Sequence, residues 1–249
     1  MEAPDFKSAL RLQNEVDFGL TAGIHSLDTE ECEAWISGIQ AGNLYVNRGI
    51  TGAIVNRQPF GGWKRSSVGA SAKAGGPNYL SQLRNWEPIN NFESVKVESQ
   101  RWWNDIGSVP IDRAGLQVER NYQRYCHYSE KILVRIDTRV SSEVLAYIKW
   151  LATLLELDLE ISTSQPISEV LSLMANRSLK IGKVRWLSSE PAPIVELLEL
   201  GVSVDSRPVT SVVEVEIPRW LREQSLAITN HRYGNVGAGP KPVLPKQKN

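Results

Sequence analysis

The residues able to do chemistry fall into two groups. Nine of the chain's 18 glycines lie between residues 34 and 86, together with Arg48, Arg57, Lys64, Arg65, Lys73 and Arg84 and no Asp or Glu. Glycine permits positive φ and close approach of backbone, so this density in an acid-free region points to backbone amides presented to an anion. The alternative is a solvated glycine-rich loop. The second group is Cys32, Cys126 and the histidines His25, His127 and His231. A thiolate beside an imidazole can act as a nucleophile. Cys126 and His127 are adjacent, however, and neighbouring side chains of a strand point to opposite faces. Cys32 falls on the apolar face of a helix, which fits packing better than catalysis. His25 and His231 have no clustered partners.

These residues need elements to position them. Asp5 caps a helix through about Val16. Gly19–Ser26 reads as a short buried strand, and Asp28 with Glu31 has capping-box spacing for a helix bearing Cys32, Trp35, Ile36 and Ile39. Leu44–Asn47 is the next strand. Residues 87–130, with Pro88, the Trp102-Trp103 pair and Pro110, read as an irregular crossing. From Lys131 an alternation resumes: strands at 131–137, 159–163, 184–188 and 202–206, with helices at 141–155, 168–177 and 194–200, a doubly wound pattern. A last helix is expected from Pro218 to about Thr229, and the Gly- and Pro-rich tail from 234 is expected to be disordered.

The composition excludes several classes. The 28 basic and 28 acidic residues balance, against a nucleic-acid or membrane-surface binder. No run of apolar residues is long enough to span a bilayer, and MEAPDFKSAL is not a signal peptide. Two cysteines make neither a metal spacing nor a disulfide framework, and they suit a reducing, cytoplasmic setting.

The blocks Asn43-Leu-Tyr-Val-Asn47, Ile50-Thr-Gly-Ala53, Gln58-Pro-Phe-Gly-Gly62 and Lys73-Ala-Gly-Gly-Pro-Asn-Tyr79 occur in that order. Over about residues 3–90 they closely resemble the end of the aldehyde dehydrogenase module that oxidises L-glutamate γ-semialdehyde, as found in bacterial bifunctional proline-utilisation proteins. The resemblance implies an α/β fold: a partial aldehyde dehydrogenase catalytic domain (1–95), a crossing segment (96–130), a smaller Rossmann-like α/β domain (131–233) and a tail (234–249). Residues 220–235 resemble the end of the appended domain of those proteins more loosely.

That resemblance assigns substrate-binding roles. Thr51, Gly52 and Ala53 match the family's aldehyde anchor loop, whose backbone N–H groups hold the substrate's far carboxylate; a plain tight turn is the alternative. Phe60 matches an aromatic that packs on the substrate's stem, with a core phenylalanine as the alternative. The family's chemistry also needs a cysteine nucleophile, a glutamate to activate water, and NAD. Neither cysteine has the family's Gly-Gln-x-Cys context, and the Glu-x-Phe-Gly-Pro motif that in the family precedes residues like Pro4-Asp5-Phe6 is absent from this sequence. No glycine fingerprint follows a predicted strand, so NAD is expected in the intact enzyme and not on this chain alone. The expected partner is an upstream dehydrogenase and proline dehydrogenase portion, with oligomer formation through the dehydrogenase part. A different reading is a non-catalytic assembly or lid module for a partner dehydrogenase, motivated by Trp102-Trp103. On either reading 131–229 is expected to fold by itself.

Overall fold

The computed structural model describes residues 2–52, 54–67, 72–89, 91–232, 235–236 and 244. Helix α1 (Phe6–Asn14) begins where Asp5 accepts the Ser8 N–H at 2.7 Å. It leads into β1 (Phe18–Gly19) and β2 (Thr21–Ile24). Helix α2 (Thr29–Gly38) is capped by Asp28, which accepts the N–H groups of Glu30 and Glu31. Strand β3 (Asn43–Val46) is buried throughout, and a long loop then reaches β4 (Trp63–Lys64).

Residues 92–126, read from sequence as a crossing, carry regular structure. They form α3 (Phe92–Trp102), one π-helical turn (Trp103–Gly107), β5 (Ile111–Asp112) and β6 (Glu119–Cys126). Next come β7 (Lys131–Arg135), α4 (Ser142–Leu154), β8 (Leu159–Ser162), α5 (Ile167–Ala175), β9 (Ile181–Trp186), α6 (Ile194–Glu199) and β10 (Ser203–Asp205). The order β10-β9-β7-β8 is wholly parallel. This is the doubly wound array the alternation predicts.

The chain ends differently from expectation. A short helix, α7 (Val213–Glu216), and a 3₁₀ turn at Ile217–Trp220 precede a strand, β11 (Arg222–Thr229), where a helix is expected. Strand β11 lies between β3, which it joins in parallel, and β6, which it joins antiparallel, in a sheet of order β2-β3-β11-β6-β5. The strand is buried from Glu223 to Ile228 and paired on both edges from Ser225 to Ile228, and that outweighs the helix-favouring run Leu221-Arg-Glu-Gln-Ser-Leu-Ala. So 131–229 is not a self-contained unit: its final strand is central to the sheet that begins with residues 21–24 and 43–46. The tail expected to be disordered lies almost entirely outside the described residues.

Three apolar clusters hold the fold. Cys32, Trp35, Ile36, Leu44, Val46, Leu226 and Ile228 pack one face of the five-stranded sheet. The parallel sheet packs on both faces, with Ile132 and Val134 toward α4 and Leu133 and Val184 toward α5 and α6. Trp103 is 2 % exposed in the cluster of Ile132 and Val134, and Trp102 tilts against Tyr125 at 5.7 Å. Trp103 is therefore spent on internal packing, while Trp102 is only half-buried.

Candidate functional site

The second face of the five-stranded sheet is polar, and the glycine-rich loop lies over it. Asn43, Gln123, Ser225 and Glu223 are all buried, and each touches that loop or a residue that does. Ser225 Oγ donates to the Pro59 carbonyl. The amide of Asn43 donates to the carbonyls of Leu20 at 2.7 Å and Gly61 at 3.0 Å. Phe60 and Ala74 exchange two backbone hydrogen bonds of 2.9 Å. The loop's first half is fixed at its entry by Asn47, at φ 58°, whose side chain donates to Ser26 O and accepts from Ser26 N. Arg48 and Arg57 both pair with Glu119 of β6, at 2.5 and 2.7 Å. A substituent on Gly42 would lie 2.1 Å from the Gly61 carbonyl oxygen, so that glycine allows two backbones to touch.

Lys73 and Glu223 are the unusual groups under this loop. Lys73 is 1 % exposed and donates to Asn43 Oδ1 at 3.0 Å and to the Gly61 carbonyl. Burial pulls its ammonium down to about 7. Glu223 accepts from Gln123 at 3.0 Å, and burial raises it to about 6 against the opposing pull of Asn78, Lys73 and Gln123. Sequence reasoning has Lys73 only as one of six basic residues and as part of a family block, and it does not single out Glu223. The signal for the sheet face was the period-2 run Glu119, Asn121, Gln123, which marks one polar face of a strand; nothing in the sequence paired it with Lys73.

The loop and the β5–β6 hairpin enclose a cleft of about 820 Å³. Gly52, Phe60, Gly75, Arg113, Asn121 and Gln123 are among its walls. Two of the four sequence-predicted residues, Gly52 and Phe60, are thus brought together. Gly52 has φ +125° with open space where a Cβ would stand, so backbone conformation rather than crowding requires glycine there. Thr51 is exposed and is not among the residues lining the cleft. Ala53 lies outside the described residues. Asn121 and Arg113, which sequence reading missed, also line the cleft.

The remaining candidates for chemistry are elsewhere. Cys32 is fully buried, and burial followed by Glu31 raises its thiol. Cys126 is likewise pushed up by burial and lies 3.6 Å from Gln224 Oε1. The His127 ring packs on Trp103 at 6.2 Å, so Cys126 and His127 meet different neighbours. Neither thiol has the lowered pKa of a nucleophile. At the carboxyl ends of β7 and β9, where doubly wound sheets bind nucleotides, the residues do not fit a dinucleotide. The β7–α4 turn has no glycine, and Asp137 accepts from the Ser189 N–H at 2.7 Å, the Ser189 hydroxyl at 2.6 Å and the Arg139 N–H at 2.9 Å. Among the described residues no cluster of three or more potential metal ligands occurs, and no helix is long and apolar enough to cross a membrane.

Residues 1–87 match the aldehyde dehydrogenase family model. This part of the chain is similar to aldehyde dehydrogenases. Over 80 residues the chain is 46% identical to 1-pyrroline-5-carboxylate dehydrogenases of Bacillus thuringiensis (strain Al Hakam) and Bacillus anthracis (strain A0248), a match covering 32% of this chain and 15% of each relative. Proline Utilization A from Corynebacterium freiburgense has a solved structure that matches 95% of this chain with a TM-score of 0.75 and 32% identity. The match takes in 25% of that protein. The matched segment thus spans a small share of its curated relatives, while the similarity to Proline Utilization A continues through the parallel sheet.

Proposed function

We propose that this chain forms the substrate-carboxylate end of an NAD-dependent dehydrogenase acting on L-glutamate γ-semialdehyde, the open form of pyrroline-5-carboxylate. The observation that carries the reading is that Gly52, in a conformation reserved for glycine, and Phe60 line one cleft, inside the segment that matches the aldehyde dehydrogenase family. In this reading the backbone N–H groups of the Thr51–Ala53 loop receive the substrate carboxylate, and Phe60 lies along its aliphatic stem. Lys73 and Asn43 hold the Gly61 carbonyl and so set the height of Phe60 over the cleft.

The nucleophilic thiolate, the water-activating carboxylate and the nicotinamide that accepts hydride are supplied by a dehydrogenase portion outside this chain. The division at about residues 95 and 130 belongs to the same reading, with β11 returning to the first unit. The test is NAD reduction with pyrroline-5-carboxylate, by this chain alone and after mixing with the upstream part of a Proline Utilization A. Activity is expected only from the mixture, and Phe60→Ala should raise KM for semialdehyde and neutral aldehyde alike. Strong activity from the chain alone would overturn the assignment of the chemistry to an outside portion.

A further inference from the structure

Leu244 of the C-terminal tail is half-buried and packs against the apolar cluster of Cys32, Trp35, Ile36 and Leu44. Phe6 and Leu10 of α1 and Ile24 of β2 pack against the same cluster. Those three side chains and Trp35 also line a cleft of about 780 Å³. The tail thus reaches the cluster whose margin forms the cleft wall, on the side of the sheet away from the glycine-rich loop.

Strand β2 ends the five-stranded sheet. It pairs with β3, and no strand among the described residues pairs with its other edge. An unpaired edge beside an apolar cleft invites further strands, and folded proteins cover such edges. The composition of the tail suits a cover. Pro242 and Pro245 flank Val243-Leu244. Proline has no N–H to give a ladder, so this segment brings apolar side chains without extending the sheet. Residues 237–249 hold Lys241, Lys246 and Lys248 and no acid, while Asp5 and Glu31 stand at the cleft wall.

We propose that the C-terminal segment around Leu244 is a strap that covers the free edge of β2 and the cleft beside α1. Leu244 is its apolar anchor, and Lys241 and Lys246 answer the carboxylates of Asp5 and Glu31. The occupant of this face is the chain's own tail, so a strand or helix from another molecule takes the face only by displacing it. One half-buried leucine and exposed charge pairs hold the strap weakly. It therefore opens far more readily than the fold as a whole.

The test is hydrogen exchange, read by mass spectrometry, on the full chain, on Leu244→Asp and on a chain ending at Val236. No ladder among the described residues includes a residue beyond Val236, so both variants leave the sheets intact. Exchange over residues 6–14 and 21–24 should be roughly five- to tenfold faster in both variants, the reach of one half-buried leucine. Residues 131–135 and 142–154 should keep their wild-type rates. Lys241→Glu combined with Lys246→Glu should quicken the first two segments by about twofold, an effect that high salt removes. Wild-type rates over 6–14 and 21–24 in Leu244→Asp and in the shortened chain would overturn the strap. An increase spread evenly over 131–135 and 142–154 would overturn it too, because the tail would then have no particular seat. Protection that grows with the concentration of the full chain would give the face to a second copy, and so would also overturn it.

Discussion

In the parallel sheet of residues 131–205, Ile132, Leu133 and Val134 alternate between two apolar clusters. In the five-stranded sheet, one face is apolar while the other carries Asn43, Asn121, Gln123, Glu223 and Ser225. The parallel sheet does bury charge at its margin, where the carboxylates have arginine partners, and it also buries Lys183, whose Nζ has no hydrogen-bond partner. Asp205 lies 3.1 Å from Arg185, and Glu216 lies 3.1 Å from both Arg185 and Arg219. The polar face of the other sheet holds a lysine far below its ordinary pKa and an amide with no partner. Paired buried charge fixes packing. Unpaired buried polarity beside a cleft is what a binding surface keeps in reserve.

The largest effect should come from breaking the paired cluster. Glu216 is fully buried and accepts from the Trp220 indole at 2.8 Å and the Thr210 N–H at 3.1 Å as well as from the two arginines. Glu216→Ala leaves Arg185 and Arg219 without that compensation and should cost about 3–5 kcal/mol in urea unfolding. A loss under about 1 kcal/mol would mean the cluster is not the structural anchor taken here.

The polar face should answer to pH more than to simple truncation. Lys73 has a folded pKa of about 7 against an ordinary 10.5, so between those values the unfolded chain binds the extra proton. Its buried charge therefore destabilises in full below pH 7, and stability rises as pH climbs from 7 toward 10.5, at up to about 1.4 kcal/mol per pH unit. Glu223 acts oppositely: its folded pKa of about 6 lies above the ordinary 4.5, so the folded chain holds the extra proton and stability falls as pH rises from 4.5 to 6. Lys73→Met should flatten the rise between pH 7.5 and 9.5, measured by unfolding at each pH. An unchanged slope would show that Lys73 is solvated rather than buried.

This contrast also explains what the sequence could reveal. The parallel array was legible because its strands are apolar runs of β-branched and aliphatic residues such as Lys131-Ile-Leu-Val-Arg135, separated by helices of which the first is capped by Ser141. Strand β6 was not, since Glu119-Arg-Asn-Tyr-Gln-Arg-Tyr-Cys126 has no apolar alternation and gains its burial from the loop laid over it. Strand β11 was misread as a helix because local propensity favours one, and only its two neighbours, 98 to 183 residues away along the chain at the Cys126–Gln224 and Ala41–Gln224 contacts, decide otherwise. For the site, the blocks around Gly52 and Phe60 located one wall of the cleft. The wall of Arg113 and Asn121 comes from a segment whose sequence carries no motif, and it became visible only through the pairing of β5 with β6.

The central claim is that this cleft recognises a carboxylate-bearing aldehyde. It is tested most directly by kcat/KM for L-glutamate γ-semialdehyde and for a neutral aldehyde of equal length, in the active mixture with the upstream portion, comparing wild type with Ala53→Asp. A carboxylate placed in the anchor loop should set like charge against the substrate and leave donors unsatisfied, which is worth roughly 1–3 kcal/mol, or about one to two decades. The account predicts that loss for the semialdehyde, with the neutral aldehyde little changed. Equal losses for both substrates would show the loop to be a turn with no part in recognising the carboxylate.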